Sequence, residues 1–194
     1  MSIEDGARIL RRYLTPKPHI IKIVDDFWRG PSAHGPVVGV HYRGTDKSIE
    51  APRVSWHHCL QVLDGHLCDH SDIKAVFLAS DEQAFVDFIT CSLKGVPIYA
   101  YNDHFRSNDS QPVHLTSAGG YGYEKGEDAL VNALLLAKCA TLIRTTSFLS
   151  AWASIFNPDL KVILLNKPYE DKLWFPESEI ARSPNTTYSP ERPT

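Results

Sequence analysis

Apolar positions along the chain follow two rhythms, one helical and one of buried strands. Residues 3–14 carry Ile9, Leu10, Tyr13 and Leu14 on one helical face, a short helix that Pro16 and Pro18 end. A second helix follows, with Ile20, Val24, Phe27 and Trp28 at i, i+4, i+7 and i+8. Gly30-Pro31 and Gly35-Pro36 bracket a loop into Val37, Val38 and Val40, a β-branched run suited to a fully buried strand. Gly39 within it lets another backbone or a ligand approach closely. Ser55 can cap a helix whose Trp56, Leu60, Leu63 and Leu67 keep helical spacing. Lys74 to Ala79 reads as a second buried strand, followed by a helix with Phe85, Val86, Phe88 and Ile89 inside.

Further on, Val96 to Ala100 is a weaker third strand. Residues 102–125 form a stretch too long for a mere connection, a candidate lid or substrate loop. Glu127 to Cys139 is a helix expected to turn Leu130, Ala133, Leu134 and Ala137 to the sheet. Thr141 to Ile143 makes a fourth strand, Phe148 to Phe156 a helix stopped by Asn157-Pro158, and Lys161 to Leu165 a fifth strand. Alternation at this spacing implies an α/β fold, a Rossmann-like, mostly parallel sheet of about five strands with helices on both faces. The expected organisation is a helical lead-in over 1–36, one domain over 37–181, and a polar, proline-rich flexible tail over 182–194.

Ligands of such sheets bind at the carboxyl ends of the strands. The first exit carries His41, Arg43, Asp46 and Lys47, two fixed cations that suit a pyrophosphate. The competing reading is a surface turn whose charges pair with one another. At the second exit, Asp81 or Glu82 can accept from a guanine edge or bind a ribose hydroxyl, while Ser80 and Asp81 can equally cap the next helix. At the fourth, Thr145, Thr146 and Ser147 form a turn able to offer N–H groups and hydroxyls to a phosphate, or simply to cap the helix that Phe148 opens.

Composition narrows the partners. The 194 residues are 43% hydrophobic and 22% charged with a formal net charge of −3, so nothing resembles a nucleic-acid-binding stripe. No apolar run approaches the roughly 18 residues of a membrane span. Residues 1–15 hold Glu4, Asp5, Arg8, Arg11 and Arg12 rather than a signal-peptide core. Cys59, Cys68, Cys91 and Cys139 lack paired spacing and read as reduced, mostly buried thiols of a cytoplasmic protein. His57, His58, Cys59, His66, Cys68 and His70 crowd one stretch without a zinc pattern, so no metal is expected there. No Gly-x-Gly-x-x-Gly turn follows a strand, which argues against a dinucleotide enzyme.

His41, Tyr42, Arg43, Gly44, Thr45, Asp46 and Lys47 match position by position the His-x-Arg-x-x-Asp-Lys motif of GDP-fucose-dependent fucosyltransferases. The resemblance is to the α1,6 and rhizobial nodulation branches, and it spans roughly residues 35–166. In the α1,6 branch a second arginine usually follows the first, and here Gly44 takes its place. The resemblance implies the donor-binding lobe of a GT-B-like enzyme that inverts configuration while transferring fucose from GDP-fucose to a glycan or other hydroxyl acceptor. It implies that Arg43 and Lys47 neutralise the departing diphosphate without a metal or other cofactor, and that His41 and Asp46 orient them. Glu50 would touch the sugar or ribose, and Asp81 or Glu82 the nucleoside. Asp128 or Asn132 would supply the polar group of the next helix, with Thr146, Ser147 and Phe148 completing the donor site. The acceptor lobe is expected to be absent, so the chain would be a fragment, a truncated product or one half completed by a partner chain. The alternatives are a non-catalytic nucleotide-sugar-binding module and a transferase using another nucleotide sugar.

Overall fold

Six short strands spread along the chain assemble into one wholly parallel sheet. The computed structural model describes residues 1–44, 50–101 and 122–191. Its strands are β1 (Val37–Tyr42), β2 (Ala75–Ser80), β3 (Ile98–Tyr99), β4 (Thr141–Arg144), β5 (Lys161–Leu164) and β6 (Thr186–Tyr188). They lie in the order β3-β2-β1-β4-β5-β6, each pair parallel. All six residues of β1 are buried, as its β-branched composition requires for a strand covered on both faces.

Helices fill the two faces. Around the sheet run α1 (Ile3–Tyr13), α2 (Pro18–Trp28), α3 (Trp56–Asp69), α4 (Gln83–Ser92), α5 (Gly122–Ala137), α6 (Phe148–Phe156) and the short α7 (Glu177–Ile180). One core gathers Val37, Phe77 and Leu142 with Ile20 and Val24 of α2, Leu135 and Leu136 of α5, and Ala151 and Ile155 of α6. The opposite core gathers Val38, Val40, Val76 and Leu78 with Cys59 and Leu63 of α3 and Phe85 and Ile89 of α4. The helical lead-in therefore shares the sheet's own core, with the Phe27 ring edge-on to Phe77 at 5.7 Å. Gly39 is needed for close packing here: a Cβ would sit 2.9 Å from Cys139 Sγ and 3.3 Å from Leu136 Cδ2.

Four expectations change. The segment expected as a tail contains β6, which pairs Thr186, Thr187 and Tyr188 with Val162, Ile163 and Leu164. A three-residue polar strand has no hydrophobic signature of its own, and β5 supplies its ladder. Helix α1 buries Ile3, Gly6 and Ala7 and leaves Ile9, Tyr13 and Leu14 exposed. Its small residues let it lie close to Phe175, since a Cβ on Gly6 would stand 2.8 Å from that ring. Helix α5 buries Ala133 and Ala137 as expected, but it also turns Val131, Leu135 and Leu136 fully inward and leaves Leu130 and Leu134 on its shoulders, because it is packed against α2 and α6 as well as the sheet. Of the four thiols, Cys59 and Cys139 are buried and Cys68 and Cys91 exposed.

Candidate functional site

The sheet order reverses direction between β1 and β4, and the crevice beyond those two carboxyl ends is where parallel sheets of this kind bind ligands. His41 stands opposite both Ala79 and Arg144 in register, so the residues after Tyr42, Ser80 and Arg144 leave the sheet side by side. This register brings the polar clusters of three distant sequence segments to one edge.

Arg43 sits at the reversal point. Its N–H donates to Thr145 Oγ1 at 2.8 Å, and its Nε lies 3.1 Å from Asp81 Oδ2. Asp81 Oδ1 accepts from the Gly44 N–H at 3.3 Å. Both oxygens of Asp81 thus face the first exit, one on the guanidinium and one on the backbone beside it. Asp81 is thereby held against the first exit, while the Ser80 hydroxyl accepts from the Glu82 N–H at 3.1 Å just before the next helix. His41 is buried, and its carbonyl accepts from the Thr145 N–H at 3.0 Å. The Glu50 carbonyl accepts from the Tyr169 N–H at 2.9 Å. Asp46 and Lys47 lie outside the described residues.

Glu82 points to the opposite core. Its Oε2 accepts from Trp56 Nε1 at 3.1 Å, and its Oε1 lies 3.6 Å from Arg53 Nη2. Burial, then the neighbouring Asp81, pushes its carboxyl above the ordinary value, while Arg53 and Trp56 pull the other way. The Tyr42 hydroxyl donates to Val54 O at 2.6 Å and is pushed up to about 12, chiefly by burial, so it remains a donor at neutral pH. Gly44 is bare for a steric reason: a Cβ there would collide with Glu82 Oε1 and lie 2.7 Å from Tyr42 Cε1.

The turn after β4 departs from expectation. Thr145, Thr146 and Ser147 are all buried, and protein acceptors satisfy their N–H groups. Thr145 donates to His41 O, Thr146 to Asn166 Oδ1 at 2.7 Å, and Ser147 to Glu177 Oε1 at 2.8 Å. Glu177 therefore occupies the helix N-terminus where an anion would bind. Arg144, fully buried, donates to Ser147 O at 2.8 Å and pairs with the same Glu177 oxygen. A guanidinium in the interior requires such a carboxylate. Phe148, partly exposed, stacks with Trp174 at 6.4 Å between ring centres.

Asp128 lies in the second turn of α5 because that helix begins at Gly122, and the acid of its first turn is Glu124. One turn later, Asn132 Nδ2 donates to the Asp128 carbonyl at 2.9 Å. Burial and then Asp128 raise the Tyr101 hydroxyl, which places that acid near the third strand exit. Most of the candidate lid, residues 102–121, lies outside the described residues, and 122–125 belong to α5. Among the described residues no three His, Cys, Asp or Glu side chains converge as metal ligands. His58 instead bonds Ser189 O at 2.7 Å, and the His66 and His70 rings pack 4.2 Å apart. No helix among the described residues is long and apolar enough to cross a membrane.

Sequence reasoning missed Asn166, Glu177 and Arg53. Arg144 carried a signal, being a charge within the otherwise buried run Thr141–Arg144. Its partner Glu177, 33 residues on, carried none.

A parallel sheet in this order defines a Rossmann-like lobe with its ligand crevice at the reversal point. The chain belongs to the Nodulation protein Z (NodZ) family, whose profile matches residues 2–177. It is 26% identical over 176 residues to Nodulation protein Z of Bradyrhizobium diazoefficiens, covering 85% of this chain and 46% of that protein. Among solved structures it resembles NodZ alpha-1,6-fucosyltransferase soaked with GDP-fucose, with TM-score 0.56 and 21% identity over 81% of this chain and 48% of the other. Arabidopsis thaliana FUT1, as a mutant in complex with GDP, gives TM-score 0.53 and 14% identity over 89% of this chain and 38% of that one. The chain thus spans about half the length of the curated relative it matches.

Proposed function

We propose that this chain binds a GDP-sugar donor, GDP-fucose in the first instance, and serves the donor side of an inverting, metal-independent glycosyl transfer. The observation that carries the reading is Arg43, held by Asp81 and Thr145 at the reversal point of the sheet, in a chain of the NodZ family. In the transfer, an acceptor hydroxyl attacks the anomeric carbon opposite the nucleotide and releases its proton to solvent as the new carbon–oxygen bond forms. The carbon–oxygen bond to the β-phosphate breaks, and its electron pair leaves on the diphosphate. Arg43 meets that developing charge, and Lys47 is the second cation of the matching motif.

The pairing of Asp81 with Arg43 and Gly44 gives that acid an orienting role. Asp128 or Asn132, one turn apart near the middle of α5, takes the nucleoside contact, and Glu50 the sugar or ribose. Phosphate contact by Thr146 and Ser147 is not supported through their own N–H groups, which already bond Asn166 and Glu177. Phe148 and the first turn of α6 offer the remaining surface at that exit.

Arg43→Ala tests the reading. The fold should survive, and GDP affinity should fall by an amount on the order of 2–5 kcal/mol, as when one partner of a desolvated charge pair is truncated. Arg43→Lys should restore little, since a point charge cannot reproduce a two-pronged contact. Calorimetry reads both, and wild-type affinity in Arg43→Ala would reduce Arg43 to a surface charge.

A further inference from the structure

We propose that Arg53 is a second donor-contacting guanidinium, engaging the terminal phosphate of the bound nucleoside diphosphate from the segment before α3. The proposal rests on the GDP-type donor reading above and adds to it a residue outside the matching motif.

A side chain at position 44, next to Arg43, could enter only by displacing its neighbours. The space its Cβ would enter holds the Glu82 carboxylate and the Tyr42 ring. That same carboxylate oxygen lies 3.6 Å from Arg53 Nη2. Arg53 therefore delivers its charge beside Gly44 from another part of the chain. Two arginine–carboxylate pairs, Arg43 with Asp81 and Arg53 with Glu82, end up beside Gly44 at the exit of β1.

The backbone around Arg53 is fixed on both sides by the strand exits. Asn166 Nδ2, just past β5, donates to Pro52 O at 2.7 Å, and the Tyr42 hydroxyl donates to Val54 O at 2.6 Å. The Arg53 side chain, in contrast, is 63% exposed, against 20% for Arg43. A pinned Cα with an exposed guanidinium is a preorganised arm. Its contact with Glu82 is too long for a short, saturating hydrogen bond, which leaves the planar fork able to take two phosphate oxygens. Glu82 is itself buried and held by Trp56, and the Tyr42 hydroxyl is the other neighbour of Arg53 there.

Calorimetric titration of the whole chain with GDP and GMP, for wild type, Arg53→Met and Arg53→Lys, tests this. Arg53→Met should weaken GDP binding by roughly ten- to a hundredfold while GMP binding changes far less, so the preference for the diphosphate collapses. Arg53→Lys should recover part of that preference. Thermal unfolding should shift only slightly in either variant, because the Arg53 side chain is mostly exposed and its Glu82 contact is long. If wild type binds GDP and Arg53→Met keeps both its affinity and its diphosphate preference, the inference is wrong and the donor reading stands. Equal losses for GDP and GMP would also overturn it, because they mark a merely structural role. No GDP binding by wild type would overturn the donor reading, and this inference with it.

Discussion

Asp81 and Glu82 are neighbours in sequence and face opposite tasks. Asp81 is drawn to the first exit by Arg43 and the Gly44 N–H, whereas Glu82 turns under Trp56 and fills the space above Gly44. The motif from His41 to Lys47 was legible because its residues are contiguous. What each one touches was not legible, since the partners Thr145 and Asp81 lie 102 and 37 residues away along the chain. The raised carboxyl of Glu82 has a consequence for stability. Its folded value lies above the ordinary 4.5, so the unfolded chain releases that proton at lower pH than the folded one. Stability from this group is therefore full below about pH 4.5 and declines as pH rises through the folded value. Glu82→Gln, which can keep the Trp56 contact, should unfold at a higher temperature than wild type at neutral pH. The gain should vanish near pH 4, in thermal melts run across the range. A neutral-pH loss in Glu82→Gln would mean that the Arg53 pairing outweighs desolvation.

At the scale of elements, β2 and α6 were predicted to within a residue, because a buried apolar run and a helix between Ser147 and Asn157-Pro158 are local signals, whereas β1 runs two residues past the expected end at Val40 and takes in His41. The inward face of α5, the docking face of α1 and the existence of β6 depend on neighbours, and no local period encodes them. The same is true of the clamp on α6. Glu177 reaches back from α7 to receive both the Ser147 N–H and the Arg144 guanidinium, welding the carboxyl end of β4 to a segment beyond β5. Removing one member strands a buried charge. Arg144→Met should lower unfolding free energy by about 3–5 kcal/mol, and adding Glu177→Met should return part of that loss. Denaturant melts of the two single variants and the double variant check the pair, and simple additivity would show that Arg144 and Glu177 are not coupled.

For the molecule as a whole, strand order decides where chemistry can occur. Placing β1 between β2 and β4 makes the exit of β1 the reversal point, and the chain's motif-bearing arginine is found there. The alternation of strands and helices predicted that exits would converge. The order of those strands, and hence which two exits border the crevice, came only with the pairing register. The central claim is a guanosine diphosphate site that works through protein cations. Titrating the chain with GDP and with UDP, each in the presence of a strong chelator of divalent metals, tests it most directly. The account predicts saturable GDP binding that the chelator leaves unchanged and that exceeds UDP binding at least about tenfold, a difference of about 1.4 kcal/mol. Equal or tighter binding of UDP, or GDP binding that disappears with the chelator, would contradict it.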